Sequence, residues 1–190
     1  MSTTETAVGT GDRWLLKFAW PGVAGAAPSA PDLPSDRAGL EVWRSIDGTL
    51  GYAYLPAVGP KPGPAWLRLV RTLAPPAASA GEAAPYHYVV ETDVETGKAD
   101  DFNAWYDREH LPGLAAVPGT VRAARYVDAD PSGSPRYYAC YDLLSTATLE
   151  SAPWLAVRGT PWSARVRPTF RNTRRTMFAR ADAASLPRAG

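Results

Sequence analysis

The sequence predicts an α+β fold made of split βαβ units with antiparallel sheets. Three observations carry the prediction. The C-terminal half, from Tyr86 to Ala179, alternates strand-like and helix-like stretches in the order β-α-β-β-α-β. The N-terminal part holds two strand-like runs around Asp47-Gly48, a strong hairpin signal. A small-residue stretch, Ala74 to Pro85 (APPAASAGEAAP), separates the two parts as a linker would.

In the N-terminal part, Arg13 to Trp20 (RWLLKFAW) reads as a strand. Pro21 to Pro34 holds almost no bulky residue and reads as a loop. Leu40 to Ile46 and Thr49 to Leu55 form the hairpin. Ala65 to Leu73 (AWLRLVRTL), opened by Pro64, reads as a short amphipathic helix. Strand, hairpin and helix make a ferredoxin-like unit whose first helix is replaced by loop. Residues 13–80 are therefore expected to be a degenerate copy of a C-terminal unit at 85–180. Met1 to Asp12 and Ala181 to Gly190 are expected to fray.

In the C-terminal part, Tyr86 to Thr92 (YHYVVET) is aromatic and β-branched, hence a strand. Thr96 can cap the helix that follows, with Asp100 and Asp101 in its first turn, where the dipole favours acids. Pro112 and Gly113 are expected to end that helix near Leu111. Thr120 to Val127 and Arg136 to Leu143 are strands joined by the long turn Asp128 to Pro135. Thr146 to Val157 reads as helix interrupted at Pro153, and a short helical turn follows over Pro161 to Arg165. Pro168 to Ala179 (PTFRNTRRTMFA) is the last strand.

The chain has 190 residues, 45% hydrophobic and 21% charged, an ordinary balance for a soluble globular protein. A net charge of +1 gives no global pull toward nucleic acid or anionic membrane. One cysteine, Cys140, excludes an intrachain disulfide. MSTTETAVGTGDR lacks the basic start and apolar core of a signal peptide, and no apolar run reaches the roughly 18 residues of a membrane helix. A soluble cytoplasmic setting is expected. No Gly-rich nucleotide fingerprint, nucleophile elbow or HExxH motif is present.

The stretch from Asp101 to Pro112, DFNAWYDREHLP, carries the chemistry. At about 100° per residue, Phe102, Trp105, Tyr106 and Glu109 share one stripe, and Asn103, Asp107 and His110 form a polar stripe beside it. A packed helix that also edges a pocket has this pattern. His110 titrates near neutrality and can move a proton. Asp107, one turn earlier, can fix its tautomer, and Tyr106 and Asn103 can hold a substrate oxygen. The competing reading makes His110 a helix C-terminal cap. Glu109 calls for an arginine partner from the last strand, with a raised-pKa acid as the minor reading. The closing segment carries Arg165, Arg167, Arg171, Arg174, Arg175 and Arg180 without an acid between them. Strand alternation splits them between faces, which argues against phosphate tracking and for pairing with Asp107, Glu109 or Asp142, or for clamping an enolic oxygen. Asn172 shares the face of Arg174. His87, alone in a strand, reads as a satisfied or surface residue. With His110 it is the only other histidine, so no metal site is indicated. Tyr137, Tyr138 and Tyr141 are core or pocket wall.

The residues DFNAWYDREHLPGLAAVPGTVRAARY, then SPRYYACYDL, then PWSARVRPTFRNTRRTMF, resemble the EthD-like branch of the dimeric α+β barrel superfamily. The resemblance covers Tyr86 to Arg180, and the WYDxEH helix is its specific part. It implies two ferredoxin-like units whose sheets pair into a barrel, as a homodimer or as fused halves. It also implies a pocket between sheet and helices, and cofactor-free chemistry on small cyclic or aromatic molecules. The N-terminal part lacks the WYDxEH motif, so one such site per chain is expected.

The resulting expectation is a ferredoxin-like α+β barrel that uses no cofactor and no metal. It acts on a small cyclic or aromatic carbonyl compound as an isomerase, cyclase or dehydratase. His110 and Asp107 are the catalytic candidates; Asn103, Tyr106, Glu109, Tyr138, Asn172 and Arg174 are the substrate-binding candidates. A non-catalytic ligand binder and an oxygen-using enzyme of the same barrel are the alternatives. The expected partners are the small substrate and a second copy of the chain, with neither nucleic acid nor membrane.

Overall fold

Eight antiparallel strands close into a barrel within one chain. The computed structural model describes residues 11–22 and 33–186. The tail expected at 1–10, the loop at 23–32 and the last four residues lie outside them. The strands are β1 (Arg13–Ala19), β2 (Glu41–Ser45), β3 (Leu50–Pro56), β4 (Leu67–Leu73), β5 (Tyr86–Val94), β6 (Thr120–Asp128), β7 (Tyr137–Leu143) and β8 (Phe170–Ala181). The helices are α1 (Ala99–Trp105), α2 (Leu111–Ala115), α3 (Ala152–Arg158) and α4 (Pro161–Val166). A wide π turn, Tyr106–His110, joins α1 to α2 without a break. Short 3-10 turns span Thr146–Glu150, Arg167–Thr169 and Ala183–Ser185.

Around the ring the order is β4-β1-β3-β2-β8-β5-β7-β6, and β6 pairs back onto β4. Within each half the strands follow one pattern, fourth-first-third-second, which is the ferredoxin-like order. The halves join edge to edge through β2–β8 and β4–β6. A partner chain is therefore not needed to complete the barrel.

Four expectations need correction here. Residues Ala65 to Leu73 form no helix; β4 pairs with β1 and β6 and closes the ring. Its Leu67-Arg68-Leu69 alternation has period two, and the two strand edges waiting on either side decide the outcome over local propensity. Thr96 does not cap α1; the helix opens at Lys98 without a side-chain cap. The helix also does not stop at Leu111. Pro112 lies in the first turn of α2, where a missing donor costs little. Gly113 is required there because a Cβ would meet Val157 Cγ1 at 2.9 Å. Likewise, Pro153 does not interrupt a helix but begins α3, which Ser151 caps.

Every strand sends side chains to one interior cluster, including Leu15, Trp43, Tyr52, Tyr54, Tyr138 and Phe178. The helices cover the outer face of the C-terminal sheet, with Phe102, Trp105, Leu111 and Trp154 packed on Tyr141 and Leu143. Among the described residues, no helix covers the N-terminal sheet. Leu33, Ala57, Trp66 and Leu186 pack over its Trp14, Leu16 and Val42 instead. Buried Leu186 shows that residues 181–186 are docked and not a loose tail.

Most polar groups inside the barrel are paired, the buried Trp43 Nε1 being an exception. Toward one end, Arg13 binds Glu41 at 2.9 Å, and Arg122 bridges Glu41 at 3.3 Å and Asp142 at 2.7 Å. Asp142 meets His87 Nδ1 at 2.6 Å, and His87 Nε2 meets the Tyr54 hydroxyl at 3.1 Å. Toward the other end, Lys17 reaches Glu91 at 2.9 Å and Tyr138 at 3.0 Å, and the Tyr52 hydroxyl donates to Glu91. Burial pushes the Asp142 carboxyl up, but His87 and Arg122 outweigh it and hold it below the usual range.

Asp142→Asn removes the charge that this chain of contacts surrounds. It is expected to lower the melting temperature by on the order of 10 °C, because breaking a buried pair leaves its partners uncompensated. Circular dichroism at neutral pH measures it; an unchanged melting point would show that the network adds nothing.

Candidate active site

Arg125, on β6, sets the geometry of the site. It is 2% exposed, and its guanidinium lies 4.7 Å from the Tyr106 ring, 4.9 Å from Phe102 and 5.3 Å from Tyr137. A buried guanidinium needs partners. Asn103 Oδ1 accepts from it at 2.5 Å and Asp107 Oδ1 at 3.3 Å. These bonds fix α1 and the π turn on the sheet.

The π turn then does what an α-helix cannot. Residues five apart lie about 140° apart around an α-helix, on different faces. In the wider turn they stack, and the Trp105 and His110 rings sit 4.0 Å apart, nearly parallel. Tyr106 meets His110 edge-on at 5.3 Å. His110 is thereby turned inward and is 8% exposed.

Beside it a cleft opens between the helices and the outer face of the C-terminal sheet. Trp105, Tyr106, His110 and Leu114 form the helix wall; Tyr88, Val90 and Tyr141 form the sheet floor. Trp154 and Phe170 close the sides, and Arg158, Arg167 and Arg175 form the rim. The hollow and its mouth measure about 380 Å³, of which about 30 Å³ admits the centre of a water molecule. A ring-bearing ligand thus requires the rim arginines to swing outward.

The cleft is positive and incompletely satisfied. Among the described residues, no carboxylate lines it, and none of the three rim arginines forms an ion pair. Trp105 Nε1, His110 Nδ1 and the Tyr141 hydroxyl are buried without a hydrogen-bond partner. Burial, then Arg167 and Arg158, push the His110 imidazole down to about 3, so it is neutral at pH 7. Burial raises the Tyr106 and Tyr141 hydroxyls, which keeps both protonated as donors. Burial and its neighbours Arg158 and Arg175 lower Arg167.

The expected site residues separate. His110 and Tyr106 line the cleft. Asn103 and Asp107 bind Arg125, and Asp107 does not contact His110, because the π turn rotates the imidazole off their stripe. Glu109 takes no arginine from the last strand; it accepts from Thr160 Oγ1 at 2.6 Å. Tyr138 lies inside the barrel on Lys17. Arg174 stands opposite Glu91 at the barrel mouth, on the opposite side of β8 from Arg175. Asn172 is exposed, with φ of 49°, and donates to Asp93 Oδ2 at 2.9 Å. The register between β5 and β8 shifts here, three steps of β8 spanning two of β5, so Asn172 falls out of the regular strand alternation and does not line the cleft.

Sequence reasoning missed Arg158, Arg167 and Arg175 as one group. Their signal was present in the acid-free run of arginines, but two of them sit outside the strand. It also missed the Asp142–His87–Tyr54 chain, whose members lie on three strands.

Among the described residues, no group of three metal-ligating side chains occurs, and no helix is long and apolar enough to cross a membrane. No protein-family model matches the sequence. No curated protein matches it in sequence. Solved structures do share the fold. A presumptive monooxygenase from Fusobacterium nucleatum superposes with a TM-score of 0.56 over 90% of this chain and 92% of that one, at 9% identity. A presumptive monooxygenase from Lactobacillus acidophilus gives 0.55 over 90% and 94%, at 8% identity. A structure described as a major regulator of staphylococcal pathogenesis gives 0.50 over 89% and 99%, at 7% identity. The likeness shows the fold, a closed α+β barrel of two ferredoxin-like halves.

Two outcomes follow from this geometry. Arg125→Met is expected to lower the melting temperature by on the order of 10 °C, since it strands Asn103 and Asp107; a wild-type melting curve would refute the clasp. The second concerns pH. The folded chain holds His110 near 3, while the unfolded chain titrates near 6.5. Below that value only the unfolded chain binds the proton, so stability is complete above it and falls as pH drops toward 3. His110→Phe should flatten the fall in melting temperature between about pH 6.5 and pH 4.5, before the carboxylates titrate. Equal slopes in both proteins would contradict the burial.

Proposed function

We propose that this chain is an EthD-like small-molecule enzyme in which His110 transfers a proton on the carbon beside a substrate carbonyl. The single observation that carries the reading is His110. It is a buried, neutral imidazole with an unpartnered Nδ1, stacked on Trp105, in the wall of a ring-lined cleft. A base must begin neutral, and this one does at pH 7.

Burial and two arginines make the free imidazole a weak base. Proton abstraction changes that. The C–H bond breaks, its electron pair becomes the enolate, and the proton moves to His110. The enolate oxygen gathers its charge where Arg158, Arg167 and Arg175 stand, and it pairs with the new imidazolium. Return of the proton to another carbon gives an isomer; expulsion of hydroxide or attack within the substrate gives a dehydrated or cyclised product. Tyr106 and Tyr141 supply further donors. Asp107 and Asn103 are positioning residues that act through Arg125.

The neighbours' names favour one second reading, an oxygen-using enzyme. Both readings are separated by deuterium exchange in D₂O, followed by proton NMR, with phenylpyruvate and 2-tetralone as probes. The proposal expects the protein to accelerate exchange beside the carbonyl of at least one probe. His110→Ala should reduce that rate about 100-fold while probe binding persists. An undiminished rate in the variant ends the role of His110. Oxygen uptake without exchange would favour the second reading.

A further inference from the structure

We infer that the cleft is built for a ligand that is already an organic anion when it binds: a planar aromatic carboxylate or a stable enolate. The inference rests on reading this cleft as the active site and names the substrate class it takes.

Three features point to charge on the ligand. Arg158 from α3, Arg167 from the following 3-10 turn and Arg175 from β8 converge on one mouth from three elements. Several other cations of this chain meet carboxylates, while exposed ones such as Arg44, Lys61 and Arg108 stand apart in solvent, so it is the convergence of the rim three on one cleft that sets them apart. Arg13 has Glu41, Lys17 has Glu91, Arg165 has Asp101 and Arg171 has Glu95. The rim three have none among the described residues, although their crowding is unfavourable. A proton-transfer site that needed only to steady a transient enolate could do so with one cation. Three leave an excess of positive charge that a neutral substrate does not offset.

Two further features define the ligand's shape and second contact. Trp105, Trp154, Phe170 and Tyr141 make flat walls. Trp105 Nε1 and the Tyr141 hydroxyl are buried donors without an acceptor, which costs stability unless a bound oxygen receives them. A flat ring between the walls, a charged oxygen pair at the arginine rim and a carbonyl toward these donors would match the three arginines and both donors.

The charge has a consequence for His110. The groups facing it are Trp105 and Tyr106 from its own helix and Arg158 and Arg167 from the far side. Tyr88, Tyr141 and Arg175 complete the cleft from the sheet. No acid is among them. A bound anion supplies the missing negative charge and restores the imidazole's basicity, so the ligand completes the base that acts on it.

Calorimetric titration of the full chain with 2-naphthoate, 2-naphthamide and inorganic phosphate tests this. The amide keeps the ring and loses the charge; phosphate keeps charge and loses the ring. Naphthoate is expected to bind at least tenfold more tightly than either, and more weakly as salt rises. Arg158→Gln, Arg167→Gln and Arg175→Gln should each weaken naphthoate about tenfold and leave naphthamide unchanged, which also shows that each variant folds. Equal binding of naphthoate and naphthamide, equal binding of phosphate, or no naphthoate binding up to about 5 mM overturns the inference. Charge-dependent naphthoate binding alongside absent deuterium exchange would leave the anion site standing and remove the proton-transfer reading. Exchange on 2-tetralone without a preference for naphthoate would do the reverse.

Discussion

The burial of Arg125 is the constraint on which the candidate site depends. A guanidinium placed on the outer face of a sheet and covered by three rings must be paired, or its desolvation is uncompensated. Asn103 and Asp107 pair it, and in doing so they pull one side of α1 and the π turn down onto β6. With that side anchored, the wider turn brings residue 110 over residue 105. The inward histidine is therefore a consequence of an arginine on another element. The polar residues nearest His110 in sequence, Asn103 and Asp107, bind Arg125, and the other polar groups of the cleft come from elsewhere in the chain.

The molecule holds two histidines in opposite situations. His87 sits inside the barrel with both ring nitrogens engaged, stacked on Trp43 at 4.9 Å. Its partners are themselves paired, and large rings fill the space around it. A satisfied network of this kind specifies one packing of the interior. His110 sits outside the barrel, under the helices, with an unpartnered nitrogen facing a group of unpaired cations. One imidazole thus lies in a closed hydrogen-bond network and the other borders a cleft with one nitrogen unpartnered.

The two halves share a strand order but not a surface. The C-terminal sheet is covered by helices, and the gap between helices and sheet is the cleft. The N-terminal sheet is covered by Leu33, Ala57, Trp66 and Leu186, contributed by loops and by the end of the described chain. Among the described residues it has no helix to carry an inward side chain into an equivalent cleft. Closing the ring within one chain also removes the free strand edges that would otherwise seek a partner.

The sequence alone determined the α+β class, the C-terminal strand order and the Asp47-Gly48 hairpin. Each is written in local periodicity or turn chemistry, which neighbouring residues settle among themselves. Tertiary structure decided the rest. Ala65 to Leu73 became a strand because two open edges flanked it. His110 parted from Asp107 because a π turn breaks the angular register that a helical wheel assumes, and nothing local to 101–112 announces that turn. Tyr138, Asn172 and Arg174 fall outside the cleft because strand alternation and a register shift between β5 and β8 decide which face each residue takes. Arg158, Arg167 and Arg175 met because α3, the 3-10 turn after α4 and β8 converge on one mouth. Convergence of that kind is a property of packing in three dimensions, and the linear order of residues does not contain it.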